Sequence, residues 1–241
     1  MTWRNDSADA VGYFAQNAER FHDLYKQTAE FQSRLRLWYA LLERYAVRDG
    51  LAVDMGCGSG VLTFHLAELG TRAVGIDGAA EMVALCDSER QRRGTANVAF
   101  HQFVLPNVDE HLVSNADLLI SSSVLEYVQD LDASLNLFSR LLKPSGTLIV
   151  SMPNRTSLSR TYQRIRFKMT GQPEVYRFIR HFSSPAALDR KLRSRGMHLL
   201  EAHYYTHFTR LARVTRSVKL PSALTEDLFV GVYRKVAASA R

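Results

Sequence analysis

The sequence predicts an α/β fold: a parallel sheet with helices packed on both of its faces. Three observations predict it. From Leu51 onward, short apolar runs alternate with stretches of helical periodicity. The apolar runs are nearly continuous, as in strands buried on both sides. The first of them, Leu51-Ala52-Val53-Asp54-Met55, leads into Gly56-Cys57-Gly58-Ser59-Gly60 and then a helix start, Val61-Leu62-Thr63-Phe64-His65-Leu66-Ala67. A strand, a tight glycine turn and a helix N-terminus let a ligand lie against bare backbone at the carboxyl edge of a sheet.

The elements follow in order. Residues 10–46 read as two helices. Phe21, Leu24, Tyr25 and Thr28 recur at helical spacing, as do Phe31, Leu35, Trp38 and Leu41-Leu42. Core packing accounts for such residues; a lid over a ligand is the sharper reading. Strand 51–55 is followed by helix 59–69, which Gly70 ends. Strand 73–77 closes on Asp77. Helix 79–93 carries Met82, Val83 and Leu85-Cys86 as its apolar stripe, and Gly94 terminates it. Strands 98–103 and 117–121 come next, then helix 130–142. Pro144-Ser145-Gly146 turns into strand 147–152. Past Pro153 the chain becomes polar, basic and aromatic to residue 182, with Gly171 and Pro173 breaking the run. Helix 185–195, strand 197–205 and strand 227–234 complete the series.

At 241 residues one domain with a sizeable core is expected. No apolar run reaches transmembrane length, and Met1-Thr2-Trp3-Arg4-Asn5-Asp6 lacks the apolar stretch of a signal peptide. Two cysteines cannot form a disulfide framework or a four-ligand zinc site. A cytoplasmic, reduced protein is the expectation. Charge is unevenly spread. Residues 151–241 carry 18 Lys and Arg against 5 Asp and Glu, whereas residues 1–150 carry 13 against 19. A basic C-terminal part suits an anionic partner, or is a solvated surface.

Spacing within the glycine turn narrows the ligand. A dinucleotide site wants G-x-G-x-x-G, and Val61 stands where that pattern needs Gly or Ala. Asp54 would crowd a pyrophosphate but suits a ligand with an ammonium group. The resulting D-x-G-x-G-x-G pattern resembles the first motif of class I S-adenosylmethionine-dependent methyltransferases. Further segments extend the resemblance from Asp54 to about Tyr233, and most specifically to the broad group of ubiquinone-type O-methyltransferases. These are Val74-Gly75-Ile76-Asp77 with Gly78 and Met82, Asp117-Leu118-Leu119-Ile120-Ser121-Ser122-Ser123-Val124-Leu125-Glu126-Tyr127-Val128, Leu141-Leu142-Lys143-Pro144-Ser145-Gly146-Thr147-Leu148, and His181-Phe182-Ser183-Ser184-Pro185.

The resemblance implies a Rossmann-like three-layer sandwich. Its sheet would have seven strands, mostly parallel, with an antiparallel last strand. One domain would comprise a helical lid (1–48), a cofactor-binding core (49–152), a substrate-side insertion (153–182) and a C-terminal helix and strands (183–241). S-adenosylmethionine is the implied cofactor. Gly56, Cys57, Gly58 and Gly60 would bring backbone to its methionine and ribose portions, and Asp54 would face its amino-acid end. Asp77, followed by Gly78, would accept from the ribose hydroxyls, since a carboxylate is an acceptor-only group. Met82 would pack on adenine, Ser122 would contact the amino-acid end, and Tyr25, from the helical lid, would also contact the cofactor. Many relatives place an acid after strand three; here Gln102-Phe103-Val104-Leu105 follows, so Phe103 and Val104 are expected to hold adenine with the backbone. Tyr127 stands where many relatives carry histidine.

Methyl transfer from a sulfonium requires alignment above all. A general base matters only where the acceptor must lose a proton. His181, Tyr127, His22 and His203 lie on the expected substrate side, with His181 the first choice as base or substrate contact and Tyr127 the second. Clustered acids that would hold a metal are not evident, so none is expected. Arg155, Arg160, Arg164, Arg166, Lys168, Arg177 and Arg180 crowd the insertion together with Tyr162, Phe167, Tyr176 and Phe178. Arg160, Arg164 and Lys168 fall on one helix face by their spacing of four. Arg160, Arg164, Tyr162, Tyr176 and Arg180 are the expected acceptor contacts. They fit a small-molecule or lipid-linked acceptor, anionic and partly apolar, presented at an anionic membrane surface. N- or C-methylation of a metabolite is the alternative. Nucleic acid is disfavoured: the Asn/Asp-Pro-Pro-aromatic signature that holds a flipped base is missing. A non-enzymatic binding role is disfavoured by the intact glycines and both acids. Oligomeric state is not readable.

Overall fold

The structure, a computed structural model, describes residues 7–17, 29–205 and 220–236. Seven strands form one sheet: β1 (Leu51–Met55), β2 (Arg72–Asp77), β3 (Val98–Gln102), β4 (Ala116–Ser121), β5 (Leu142–Pro153), β6 (Met197–Tyr205) and β7 (Leu228–Lys235). Their order is β3-β2-β1-β4-β5-β7-β6. The first five are parallel, and β7 runs antiparallel to both of its neighbours. This is the Rossmann-like methyltransferase architecture that the resemblance implied.

Around the sheet lie helices α1 (Ser7–Gln16), α2 (Ala29–Tyr45), α3 (Val61–Glu68), α4 (Ala80–Arg93), α5 (Leu131–Leu141), α6 (Leu158–Thr170), α7 (Pro185–Arg193) and the short α8 (Ser222–Thr225). Strand periodicity of two sorts the apolar residues into two cores. Val53, Met55, Leu119, Leu148 and Val150 pack with Phe138 of α5 and with Leu188 and Leu192 of α7. Ala52, Leu118, Ile120 and Ile149 pack with Trp38 and Leu42 of α2 and with Phe64 and Leu66 of α3. Neighbouring residues of one strand thus feed opposite cores, which explains the continuous apolar runs in the sequence.

Two differences from the sequence reading have local causes. The helix expected over 130–142 ends at Leu141, and β5 begins at once, five residues before the expected strand. Pro144-Ser145-Gly146 lies within an irregularity of the ladder, where the register shifts between Ala116 and Leu118 and Ser145 takes φ 62. A bulge looks like a turn in sequence. The periodicity of Phe21, Leu24, Tyr25 and Thr28, and with it the expected roles of Tyr25 and His22, lies outside the described residues.

The carboxyl ends of β1, β2 and β4 meet on one edge of the sheet. Val11 and Phe14 of α1 pack over that edge against Ala79 and Met82. The insertion brings α6 to the same edge; Ser157 caps the helix by accepting from Arg160 N at 3.2 Å, and Gly171, at φ 71, ends it.

Candidate active site

The glycine turn is folded back on β2. Gly56 N and Cys57 N donate to Ile76 O at 2.7 and 2.9 Å. Gly56 has φ 78, and a Cβ there would stand 2.1 Å from Val124 Cγ2, so only glycine fits. At Gly58 a Cβ would meet nothing within 4 Å, and the bare backbone faces open space. Gly60 behaves differently from expectation. Its added Cβ would strike Cys86 Sγ at 2.9 Å, and it does not line the cavity. It is a packing glycine at the start of α3, outside the cavity lining. Gly78 leaves room for the lid, since its Cβ would lie 2.8 Å from Val11 Cγ2.

Two acids flank the turn. Asp54 is buried, and one oxygen accepts from Thr63 Oγ1 at 2.7 Å. Its other oxygen, Oδ1, is buried without a hydrogen-bond partner among the described residues. Burial pushes its pKa up to about 7, with Thr63 and Arg34 opposing and Asp77 assisting the rise. Asp77 accepts from Gly58 N at 2.8 Å and from Ala79 N at 2.9 Å, so it also ties the glycine turn to the start of α4. Burial raises its pKa against those backbone donors.

These groups open into a cavity of about 550 Å³. Asp54, Gly56, Cys57, Gly58, Asp77, Gly78, Met82, Phe103, Val104 and Ser122 line one half of it. The other half is walled by Tyr13 and Phe14 of α1, Tyr127, and Val175, Tyr176 and Ile179 beyond α6; Arg160, Tyr162, Gln163 and Arg166 come from α6 itself. Opposite charges alternate from one half to the other. Arg34 attracts both Asp54 and Glu126, and Arg160 attracts both Glu126 and Asp227. Arg34, buried on α2, donates from Nη2 to Ser122 Oγ. Arg160 donates from Nε to Asp227 O at 3.1 Å and from Nη1 to the Tyr176 hydroxyl at 3.0 Å. That hydroxyl in turn donates a hydrogen bond to Gln163 Oε1 at 2.6 Å.

Several expected roles change. His181 does not line this cavity: it lines a second, more open cleft, and its Nε2 is held 2.9 Å from Val128 O. It is therefore not placed to act as base. Tyr127 does line the cavity, but burial, followed by Glu126, holds its phenol far above the usual range, so it keeps its proton. Its ring packs edge-on against Phe14 at 5.0 Å and forms wall. Arg164 lies over the Phe182 ring at 5.0 Å, outside the cavity lining. Arg160 instead turns inward, so the row Arg160, Arg164, Lys168 is not one solvated cationic face. Arg180 contributes its backbone N, donated to Glu126 O at 2.7 Å, and its side chain does not reach the cavity. His203 pairs with Glu201 at 2.7 Å on β6, away from the site.

Sequence reasoning missed Arg34, Glu126 and Asp227. Glu126 carried a signal: it is an acid inside the apolar run Val124-Leu125-Glu126-Tyr127-Val128. Arg34 reads as one more cation on a helix with a charged face, and its burial is a tertiary fact.

A family model described as a methyltransferase domain matches residues 48–195. The chain belongs to the S-adenosylmethionine-dependent methyltransferases of class I. Among curated proteins it is 26% identical over 230 residues to Ubiquinone biosynthesis O-methyltransferase of Nitrosococcus oceani, covering 90% of this chain and 93% of that one. It is 29% identical over 149 residues to the mitochondrial Ubiquinone biosynthesis O-methyltransferase of Homo sapiens, 60% of this chain and 40% of that protein. The chain thus spans less than half the length of the mammalian relatives that it matches. Among solved structures, magnesium protoporphyrin IX methyltransferase from Synechocystis PCC 6803 with bound SAH superposes with TM-score 0.74 at 17% identity, covering 95% of this chain and all of that one. The [4+2]-cyclase SpnF superposes at 0.70 and 17% identity, covering 99% of each chain. At such identity the likeness is one of fold alone.

The residues fit the family's cofactor. Asp54 Oδ1 is an orphaned buried acceptor suited to an ammonium group, and Gly56 and Gly58 present backbone where a side chain would intrude. Asp77 offers acceptors for a diol, and Met82 a buried apolar wall. S-adenosylmethionine bound there supplies a methyl group activated by its positively charged sulfur.

Proposed function

We propose that this methyltransferase O-methylates a hydroxyl on an aromatic, partly apolar and anionic small molecule drawn from a lipid surface. One observation carries the reading: the cavity continues past the glycine turn into an aromatic-walled half that ends at the amphipathic helix α6. Tyr13, Phe14, Tyr127 and Tyr176 suit a flat ring. Arg160 and Arg166 offer charge to an anionic substituent. On α6, Leu158, Tyr162, Ile165 and Met169 are 46%, 54%, 54% and 79% exposed, Tyr162 at the rim of the cavity and the other three outside its lining. Their spacing of four, three and four sets them in one apolar stripe, with Arg166 and Lys168 on its two sides. Apolar residues flanked by cations suit an anionic bilayer interface. The modest similarity to ubiquinone biosynthesis O-methyltransferases supports the choice of oxygen.

The test presents 4-alkylcatechols in phosphatidylcholine vesicles with or without phosphatidylglycerol and follows tritium from methyl-labelled S-adenosylmethionine. The expected result is a methyl ether formed faster, and protein sedimented more fully, on the anionic vesicles. Transfer confined to amine acceptors would overturn the reading.

A further inference from the structure

We infer that Glu126 accepts the proton of the hydroxyl being methylated, positioned by Arg34 and Arg160. The inference rests on the O-methylation reading and adds the group that makes oxygen a nucleophile.

Glu126 lies on the loop after β4, four residues past Ser122, and lines the cavity. It is 3% exposed, and its Oε2 is buried with no hydrogen-bond partner among the described residues. A buried carboxylate oxygen without a donor carries a large desolvation penalty, and a fold keeps one where a ligand supplies the missing partner. The charged groups that face it come from two separate elements, Arg34 of α2 and Arg160 of α6, with Tyr127 adjacent on its own loop. Arg34 also bonds Ser122 on the cofactor half, while Arg160 bonds Tyr176 on the acceptor half. Glu126 therefore stands at the junction of the two. Of the other acids in the lining, Asp77 is held by two backbone N–H groups and Asp227 by Ser157, while Asp54, bonded to Thr63 through one oxygen, sits at the glycine turn on the cofactor side.

The step balances. The acceptor oxygen bonds the methyl carbon as the carbon–sulfur bond breaks, its electron pair remaining on sulfur. The O–H bond gives its pair to oxygen and its proton to Glu126. A sulfonium and a carboxylate become a thioether and a carboxylic acid, so two opposite charges vanish in a poorly solvated cavity that disfavours both.

The experiment uses the full-length protein and Glu126→Gln, with 4-nonylcatechol and 4-nitrocatechol as acceptors; the latter's hydroxyl is already ionised at neutral pH. The expected loss in Glu126→Gln is ~10²–10⁴-fold in kcat on 4-nonylcatechol and less than about tenfold on 4-nitrocatechol. Affinity for S-adenosylmethionine, read by calorimetry, stays within about threefold, because Glu126 does not belong to the glycine-turn half. Infrared difference spectra of wild-type protein without acceptor show carboxylic-acid absorption titrating near neutral pH, to which Asp54 and Glu126 both contribute, and Glu126→Gln loses the Glu126 part of it. Equal losses on both catechols, or a spectrum unchanged by the substitution, overturn the inference alone. No transfer by the wild-type protein to either catechol overturns the O-methylation reading and this inference with it.

Discussion

The two halves of the cavity are built in different ways. The cofactor half is made of backbone and of acids close in sequence: Asp54, Gly56, Gly58 and Asp77 fall within 24 residues. Its geometry is set by strand ends and by a turn in which Gly56 leaves no room for a side chain. The acceptor half is made of side chains gathered from afar, with Tyr13, Arg34, Glu126, Arg160 and Asp227 arriving from α1, α2, the loop after β4, α6 and the start of β7. A site of the first kind is written in a motif, whereas a site of the second kind exists only once the chain is folded. The same contrast separates what the family shares from what an individual member selects.

Perturbing each half in turn sharpens that contrast. The largest effect is expected at the glycine turn. Gly56→Ala forces a Cβ onto Val124 and a positive φ on alanine, which costs roughly 2–4 kcal/mol and removes cofactor binding. Thermal melts and calorimetric titration check it, and a variant that melts and binds like wild type would break the account of the turn. Next comes Asp54→Asn. Losing a charged partner for an ammonium group should weaken S-adenosylmethionine binding at least tenfold, about 1.5–3 kcal/mol. Folding stability near pH 8 should rise at the same time, because a desolvated charge is gone. Opposite signs for binding and stability mark a functional acid.

The pH dependence of stability is intermediate in size. Asp54 and Glu126 have folded-state pKa values raised to about 7 from ordinary carboxylate values. The folded protein therefore binds more protons than the unfolded chain between about pH 4 and 7. The stability from these groups is fully present below their unfolded pKa values and is lost as pH rises through 7. Unfolding free energy should fall by on the order of 3 kcal/mol from pH 6 to 8, and by about half as much in Glu126→Gln. Melts at both pH values check the slope; a flat profile would mean that neither acid is desolvated. The smallest effect is expected on the outer face of α6. Lys168→Ala should weaken association with anionic vesicles by roughly fivefold at low salt, on the order of 1 kcal/mol for the one charge, while sparing cofactor affinity. Vesicle sedimentation measures the first and calorimetry the second.

The sequence carried much of the fold. Strands β1, β2 and β6 lie within a residue of their expected limits, because short apolar runs bounded by glycine leave the chain little freedom. β5 was misjudged because a bulge at Pro144-Ser145-Gly146 has the residues of a turn. The cavity lining around the glycine turn was legible nearly residue by residue, apart from Gly60, which packs towards Cys86, and Tyr25, which lies outside the described residues. The acceptor half was legible only as composition. Arg160 and Tyr176 were anticipated and are joined in the cavity wall, yet Arg164 and His181, equally plausible by type, face elsewhere. Which cation turns inward depends on helix phase and on partners such as Asp227, some 67 residues away. Periodicity gives the phase but not the partner.

Calorimetric titration of S-adenosylmethionine into Asp77→Ala and Glu126→Gln side by side tests the division most directly. The account predicts at least a tenfold loss of affinity for Asp77→Ala and a change within about threefold for Glu126→Gln. Equal losses in the two variants, or an unchanged affinity in Asp77→Ala, would contradict it.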